Sequence, residues 1–296
     1  MSEAERHNSG SSGESLKEFS SLEIEPLIAD RPAEPRDSSR LMAVRRGNSA
    51  LLHRNFQDLP ELLGRGDMLV LNRSRVWKAR LEATKAAGGK SEILLIAPVG
   101  GDGLVWAGLC RKIQSGQILS CPGGLKAECL VRNSDGSCNF RFSAPVDEGY
   151  LAANGAVPLP LYILKARRRR GIAAPPDELN YQTVYATETG SVAAHTAGFH
   201  FTPGLLARLA SEGVKTTFVT LHIGWGTFRP VRPEDPAAHV MMEEACAVTA
   251  AAAAAINAHR AAGGRIVAVG TSSMRTLETF SDEKGVVIPG SGRAGL

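Results

Sequence analysis

Between Asp67 and Ser143 the apolar residues come in short runs. In one of them, VWKARLEA (76–83), Trp77, Ala79, Leu81 and Ala83 fall on one side, while Lys78, Arg80 and Glu82 fall on the other. A period of two predicts a half-buried strand. MLVLN (68–72) reads as a fully buried strand. SEILLIAP (91–98), LVWAGL (104–109), LKAECLVR (125–132) and CNFRFS (138–143) follow, divided by GG, GGDG, PGG and SDG turns. Short strands joined by glycine-rich turns, with no helical period between them, predict a small antiparallel barrel.

After Tyr150 the period changes. Thr202-Pro203 supplies an N-cap and a first-turn proline to a helix carrying Leu205, Leu206 and Leu209, with Gly213 as its stop. The strand KTTFVTL (215–221) comes next. A second helix starts near Thr249, runs through the six alanines Ala250 to Ala255 and halts at Gly263-Gly264. The strand RIVAV (265–269), a Gly270-Thr271 turn and a helix bearing Met274, Leu277 and Glu278 complete the pattern. Such alternation predicts an α/β domain, a layered and mostly parallel sheet interrupted by the inserted barrel. The expected division is 1–18 as a disordered polar tail, 19–74 and 150–296 as the α/β domain, and 75–149 as the barrel.

Composition narrows the class. With 43% hydrophobic and 22% charged residues over 296 positions, the chain is that of an ordinary globular protein. It lacks an apolar run of the ~18 residues needed to span a bilayer, and its N-terminus has no secretory pattern. No membrane association is expected, and a cytoplasmic location is. Five cysteines, odd in number and never spaced C-x-x-C, argue against a disulfide framework and a zinc ribbon. They read as reduced, mostly buried small residues. A net charge of +4 is compatible with a polyanionic partner without requiring one.

Ligands of open α/β sheets gather beyond the carboxyl ends of strands. One such end is LHIGWGTFRP (221–230), where Gly224 and Gly226 allow close approach and His222, Thr227 and Arg229 bring polar groups. Its bland alternative is a tight turn with a capped arginine. Another is VGTSSMRTLE (269–278), a strand, a glycine, a hydroxyl N-cap and a helix whose N–H groups suit an anion. Here Arg275 and Glu278, three apart, read equally as a surface ion pair. The run GSVAAHTAGFHFT (190–202) is rich in small residues and holds His195 and His200; His200 has the chemistry of a proton shuttle near neutral pH. Those histidines are five positions apart and no cysteine pair joins them, so no metal is expected. KARRRR (165–170), taken as a Pro/Gly-flanked loop, is either a solvated surface or a set of phosphate contacts.

Taken together, these segments resemble the S-adenosylmethionine:tRNA ribosyltransferase-isomerase family of queuosine biosynthesis. The resemblance runs from about Leu27 to Glu278 through LIADRPAEPRDSSRL (27–41), LVLNRSRVWKARL (69–81), VPLPLYI (157–163), NYQTVYA (180–186), GSVAAHTAGFHFT (190–202), VTLHIGWGTFRPV (219–231) and RIVAVGTSSMRTLE (265–278). It implies an α/β domain carrying an inserted β-barrel. It also implies an enzyme in which S-adenosylmethionine, as co-substrate, donates its ribosyl part to 7-aminomethyl-7-deazaguanine in the anticodon region of tRNA. That part is rearranged to give epoxyqueuosine, and adenine and methionine leave. No metal is implied, and a monomer is expected.

For that chemistry His200 and His222 are base and acid candidates, with Glu244 a further catalytic candidate. Arg229 and Arg275 are candidates to anchor anionic groups. Tyr181 and Gln182 are candidates for a base edge, and Asn72, Arg75 and Arg80 match the family segment at the domain junction. Ser191, Thr196, Gly224, Thr227 and Thr271 complete the expected substrate-binding set.

This chain departs from the family pattern in several places. The family usually has an acid at Arg73, Ile-Pro at Trp77-Lys78, proline at Leu161 and His195, and histidine at Met242. Its pattern continues past residue 296 through an Asn-Phe-His-Leu-Pro signature, so the resemblance implies a member shortened or divergent at its C-terminal end. The rival readings are a catalytically degenerate tRNA-binding paralogue and a conventional methyltransferase. The single glycine of VAVGT disfavours the second.

Overall fold

The computed structural model describes residues 22–47, 49–173, 175–228 and 241–295. The expected tail at 1–18 and the candidate Arg229 lie outside the described residues. A hairpin, β1 (Arg40–Arg45) and β2 (Ala50–Asn55), precedes the main elements.

The sheet of the α/β part is built around β3 (Asp67–Asn72), every residue of which is buried. On its two sides run β14 (Arg265–Ala268) and β12 (Lys215–Leu221), both parallel to it. Beyond β12 come β13 (Glu244–Val248) and β15 (Gly290–Ala294), both antiparallel to their neighbours. The parallel expectation therefore holds for the β14-β3-β12 half, and the other half is antiparallel.

Alternation along β3 separates two apolar layers. Met68 and Val70 pack with Val219, Val248, Ala252, Ala253, Ile256 and Leu277. Leu69 and Leu71 pack with Phe56, Tyr185, Phe201, Leu205 and Leu209. A strand buried on both faces has to be apolar throughout, which is why MLVLN shows no polar alternation.

The barrel is closed by β5 (Arg80–Lys85), β6 (Lys90–Pro98), β7 (Val105–Leu109), β8 (Ile118–Ser120), β9 (Lys126–Arg132) and β10 (Cys138–Phe142), in the order β10-β7-β6-β5-β8-β9. All its ladders are antiparallel. Leu81, Ile93, Leu95, Leu119, Ala127, Cys129, Cys138 and Phe140 fill it. All five cysteines are free and buried, and burial pushes the Cys121 thiol up to about 11 and Cys138 to about 12. They pack as apolar groups.

The run 76–83 is not one strand. β4 (Ser74–Val76) pairs in parallel with β11 (Glu188–Ser191), and the chain leaves that ladder at Trp77 before entering β5. Side-chain alternation survives such a break because it depends on burial on either side, not on continuous pairing.

The α-helices among the described residues are α1 (Glu148–Asn154), α2 (Leu161–Arg170), α3 (Asp177–Asn180), α4 (Pro203–Ser211), α5 (Ala250–Ala261) and α6 (Gly270–Thr279). The Thr202 and Thr249 hydroxyls cap α4 and α5 as expected, accepting from Leu205 N and Ala252 N, each at 3.1 Å. KARRRR is the second half of α2 and not a loop. Arginine is a good helix former, four of them in the last turn complement the negative helix end, and Gly171 closes the helix in the left-handed region at φ 63°. Three of the four are engaged. Arg167 grips Asp177 at 2.7 and 2.8 Å, Arg169 pairs with Glu25, and Arg170 pairs with Asp30 at 2.6 Å. The cations expected to be open to phosphate instead tie α2 to segment 25–30.

Candidate active site

Asn72 ends β3 with its side chain fully buried. Its Nδ2 donates to Leu221 O at 2.9 Å, while Oδ1 accepts from Leu221 N at 3.1 Å and Ser74 N at 3.0 Å. A single amide thus locks the ends of β3 and β12 together and starts the turn into β4. It positions the site through its carbonyl oxygen and one of its N–H groups.

Directly beyond, three side chains from distant segments meet. Ser74 Oγ lies 2.7 Å from Ser191 Oγ and 2.8 Å from His222 Nδ1, and Ser191 Oγ accepts from Ile223 N at 2.9 Å. The relay can run either way. With Nδ1 protonated, His222 donates to Ser74, Ser74 donates to Ser191, and the Nε2 lone pair is a base. With the serine hydrogens turned the other way, Nε2 carries the proton and is a hydrogen-bond donor. Burial lowers the His222 pKa from its ordinary 6.5 against an opposing effect of Glu188, so the neutral ring dominates at pH 7. Gly190 makes room for the ring: a Cβ there would stand 2.5 Å from Nδ1 and 2.6 Å from Cε1.

A cavity of about 290 Å³, joined to the relay through Ile223 but lined by none of its three side chains, has Tyr181, Thr196, Thr227, Thr271 and Ser272 in its wall, among others. Four of the expected substrate-binding residues, Tyr181, Thr196, Thr227 and Thr271, therefore share one space. The N-terminus of α6 belongs to it, but the expected hydroxyl N-cap does not form. Val269 occupies the cap position, and no side chain accepts from the first turn.

His200 is elsewhere. It lines a second cavity of about 340 Å³ with Arg36, Asn180 and Phe199, and the two cavities share Tyr162, Tyr181 and Thr196 in their walls. The His200 ring stacks against Phe56 at 5.1 Å, and burial lowers its pKa against a hydrogen bond to the Arg36 backbone. The two histidines do not converge on one point.

Glu244 and Arg275 form a clasp. Glu244 Oε1 accepts from Gly224 N at 2.8 Å, and Oε2 accepts from Arg275 Nη1 at 2.6 Å. Arg275 Nη2 also donates to Met242 O at 2.9 Å and Ala294 O at 2.8 Å. Burial raises the Glu244 carboxyl above its usual range, while Gly224 and Arg275 pull it down. Both of its oxygens are thus engaged, and Glu244 holds Gly224 and Arg275 in place. Arg275 pairs with it instead of Glu278, and its Nε has no hydrogen-bond partner among the described residues.

The remaining candidates also serve the frame. Gln182 mimics a strand against Val76, accepting from its N at 3.1 Å and donating to its O at 2.9 Å, so its amide is spent on backbone. Arg75 donates to Ala186 O at 3.0 Å, and Arg80 donates to Leu159 O at 2.9 Å beside Glu92. Sequence reading passed over Ser74, which lies inside a matching segment but has no pattern of its own. Among the described residues there is no group of three or more His, Cys, Asp or Glu placed to hold a metal, and no helix is long and apolar enough to cross a membrane.

A family profile described as "Queuosine biosynthesis protein" matches residues 18–295. The S-adenosylmethionine:tRNA ribosyltransferase-isomerase of Anaeromyxobacter dehalogenans (strain 2CP-C) is 46% identical over 289 residues, which is 95% of this chain and 81% of the relative. That of Symbiobacterium thermophilum is 46% identical over 273 residues, covering 90% and 77%. A crystal structure of S-adenosylmethionine tRNA ribosyltransferase from Thermotoga maritima shares 32% identity at a TM-score of 0.38, covering 86% of this chain and 69% of that one. With the matched segments spanning both the barrel and the relay of Ser74, Ser191 and His222, the chain belongs to the queuosine biosynthesis protein family.

Proposed function

We propose that this protein is an S-adenosylmethionine:tRNA ribosyltransferase-isomerase. It moves the ribosyl part of S-adenosylmethionine onto 7-aminomethyl-7-deazaguanine in the anticodon region of tRNA and rearranges it to epoxyqueuosine, with loss of adenine and methionine. A polyanionic tRNA substrate suits a cytoplasmic enzyme, and we expect it to act as a monomer. The observation that carries the reading is the buried relay ending at a half-buried, neutral His222, in a chain 46% identical to relatives of that name.

The positive sulfonium acidifies the neighbouring C5′ hydrogens, and a base must take one of them. His222 Nε2 has no protein partner among the described residues, and the serines fix its ring through Nδ1. Departure of adenine calls for a proton donor at the base. His200, on the wall of the larger, mostly apolar cavity, is the group we assign to it. The test is adenine release, followed by chromatography, with S-adenosylmethionine and tRNA carrying 7-aminomethyl-7-deazaguanine. Release with that tRNA and not with one carrying guanine is expected. Tight tRNA binding with no adenine released would make the protein a non-catalytic relative.

Gly190→Ala is an economical probe of the relay. The added methyl cannot coexist with the His222 ring in its present place, so the ring must swing off Ser74. Overpacking of this kind costs about 1–3 kcal/mol, and turnover should fall roughly 10²-fold with the base misplaced. Steady-state kinetics beside a thermal melt would decide it, and normal turnover would refute the relay.

A further inference from the structure

Two buried polar side chains at the smaller cavity have no hydrogen-bond partner. His195 is 6% exposed, and neither Nδ1 nor Nε2 is bonded; Ser272 is 7% exposed, and its Oγ is unbonded. Both line the cavity of about 290 Å³. Stranding such groups is costly to a folded protein, so a ligand that meets them gains binding strength from both. The third feature there is the uncapped N-terminus of α6, a helix of 10 residues that opens with Gly270 at φ 81°. A Cβ on Gly270 would stand 3.1 Å from Ala197 Cβ, so glycine lets the 193–197 segment lie against the helix end. N–H groups at such an end point outward and carry partial positive charge.

We propose that His195, Ser272 and the first turn of α6 form a subsite for the α-carboxylate of the amino-acid end of S-adenosylmethionine, an assignment that rests on the function proposed above. Charge selects the ligand. Among the described residues the cavity wall contains no Lys, Arg, Asp or Glu. A phosphate with its greater charge recruits cations, whereas a single carboxylate is satisfied by N–H and O–H donors. His195 is held neutral, its pKa lowered by burial to about 4, so it contributes one N–H and no charge. Tyr162 and Tyr181, on the same wall, offer ring faces to a sulfonium cation.

Calorimetric titration of the full chain with S-adenosylmethionine and with its decarboxylated analogue tests this. The wild type should bind the analogue roughly tenfold more weakly, the loss expected when hydrogen bonds to a charged group disappear. Ser272→Ala and His195→Phe should bind S-adenosylmethionine roughly tenfold more weakly while binding the analogue as the wild type does. Because Ser272 Oγ is unbonded in the free protein, Ser272→Ala should melt no lower than the wild type, which separates a binding role from a structural one. Equal binding of both compounds by the wild type would overturn the subsite. So would displacement of S-adenosylmethionine by inorganic phosphate with the analogue unimpaired, which would assign the pocket to a phosphate. Absence of any S-adenosylmethionine binding would sink the proposed function and the subsite together. Carboxylate discrimination without adenine release would sink only the ribosyl-transfer reading.

Discussion

Replacing His222 by alanine should lower kcat by at least ~10²-fold while leaving the fold and the affinity for S-adenosylmethionine nearly intact. The loss falls on kcat because the ring's free Nε2 has work to do only when the C5′ proton moves. The pH profile supplies a second readout. His222 must be neutral to accept a proton, and burial lowers its pKa below 6.5. Activity should therefore be lost as pH falls through a limb on the acid side of 6.5, where His222 takes up a proton. Ser74→Ala removes the partner of Nδ1 and should shift that limb, whereas a merely structural serine would leave it in place. A His222→Ala variant with normal kcat would end the assignment.

The largest effect on stability is expected at Arg275. Arg275→Met should lower the unfolding free energy by about 3 kcal/mol, since removing one partner of a buried pair strands the other charge. The side chains of Arg275 and Glu244 are each 12% exposed, so water compensates little. The same guanidinium holds Met242 O and Ala294 O, so the edge strand β15 loses its tie to α6 as well. In the variant, the stranded carboxylate gains stability by taking a proton. The folded state then binds more protons than the unfolded one, and the deficit should shrink as pH falls towards the ordinary glutamate range. Adding Glu244→Gln should recover part of the loss at neutral pH. Urea unfolding of the single and double variants would measure this. A shift below about 1 kcal/mol in the single variant would show that the clasp is unimportant.

Elements with a strong local signature were legible in the chain. Thr202-Pro203 and Thr249 announced their helices, and the buried run at β3 announced a two-faced sheet. Contacts that depend on distant partners were not. The antiparallel edge strand β15 is a Gly/Ser/Arg segment with no apolar period, made a strand by pairing with β13. KARRRR looked like a solvated loop because its carboxylate partners at Glu25 and Asp30 lie far away in sequence. The site divides in the same way. His222 and Thr271 stood out as residue types beyond strand ends, and Ser191 only as part of a matching segment. The use of Asn72, Gln182, Glu244 and Arg275 as braces follows only from which backbone groups they reach.

The barrel enters and leaves through a narrow gate, where Arg80 and Ala156 exchange backbone hydrogen bonds at 3.1 and 2.8 Å. Met68 must still find Lys215 across everything between them. Once the barrel has closed, its two ends are neighbours, and the loop separating β3 from β12 is roughly halved. Halving a loop changes its closure entropy by only about 0.6 kcal/mol. For the host sheet, then, the size of the insertion is nearly irrelevant, and the spacing of its ends is what counts. An inserted module here is free to lengthen, shorten or acquire new surface at little thermodynamic cost to the catalytic layer. Lengthening the linker at Trp77–Ala79 or at Ala156–Leu159 by even one residue would unseat Val76 from Gln182 and carry the disturbance straight to Ser74.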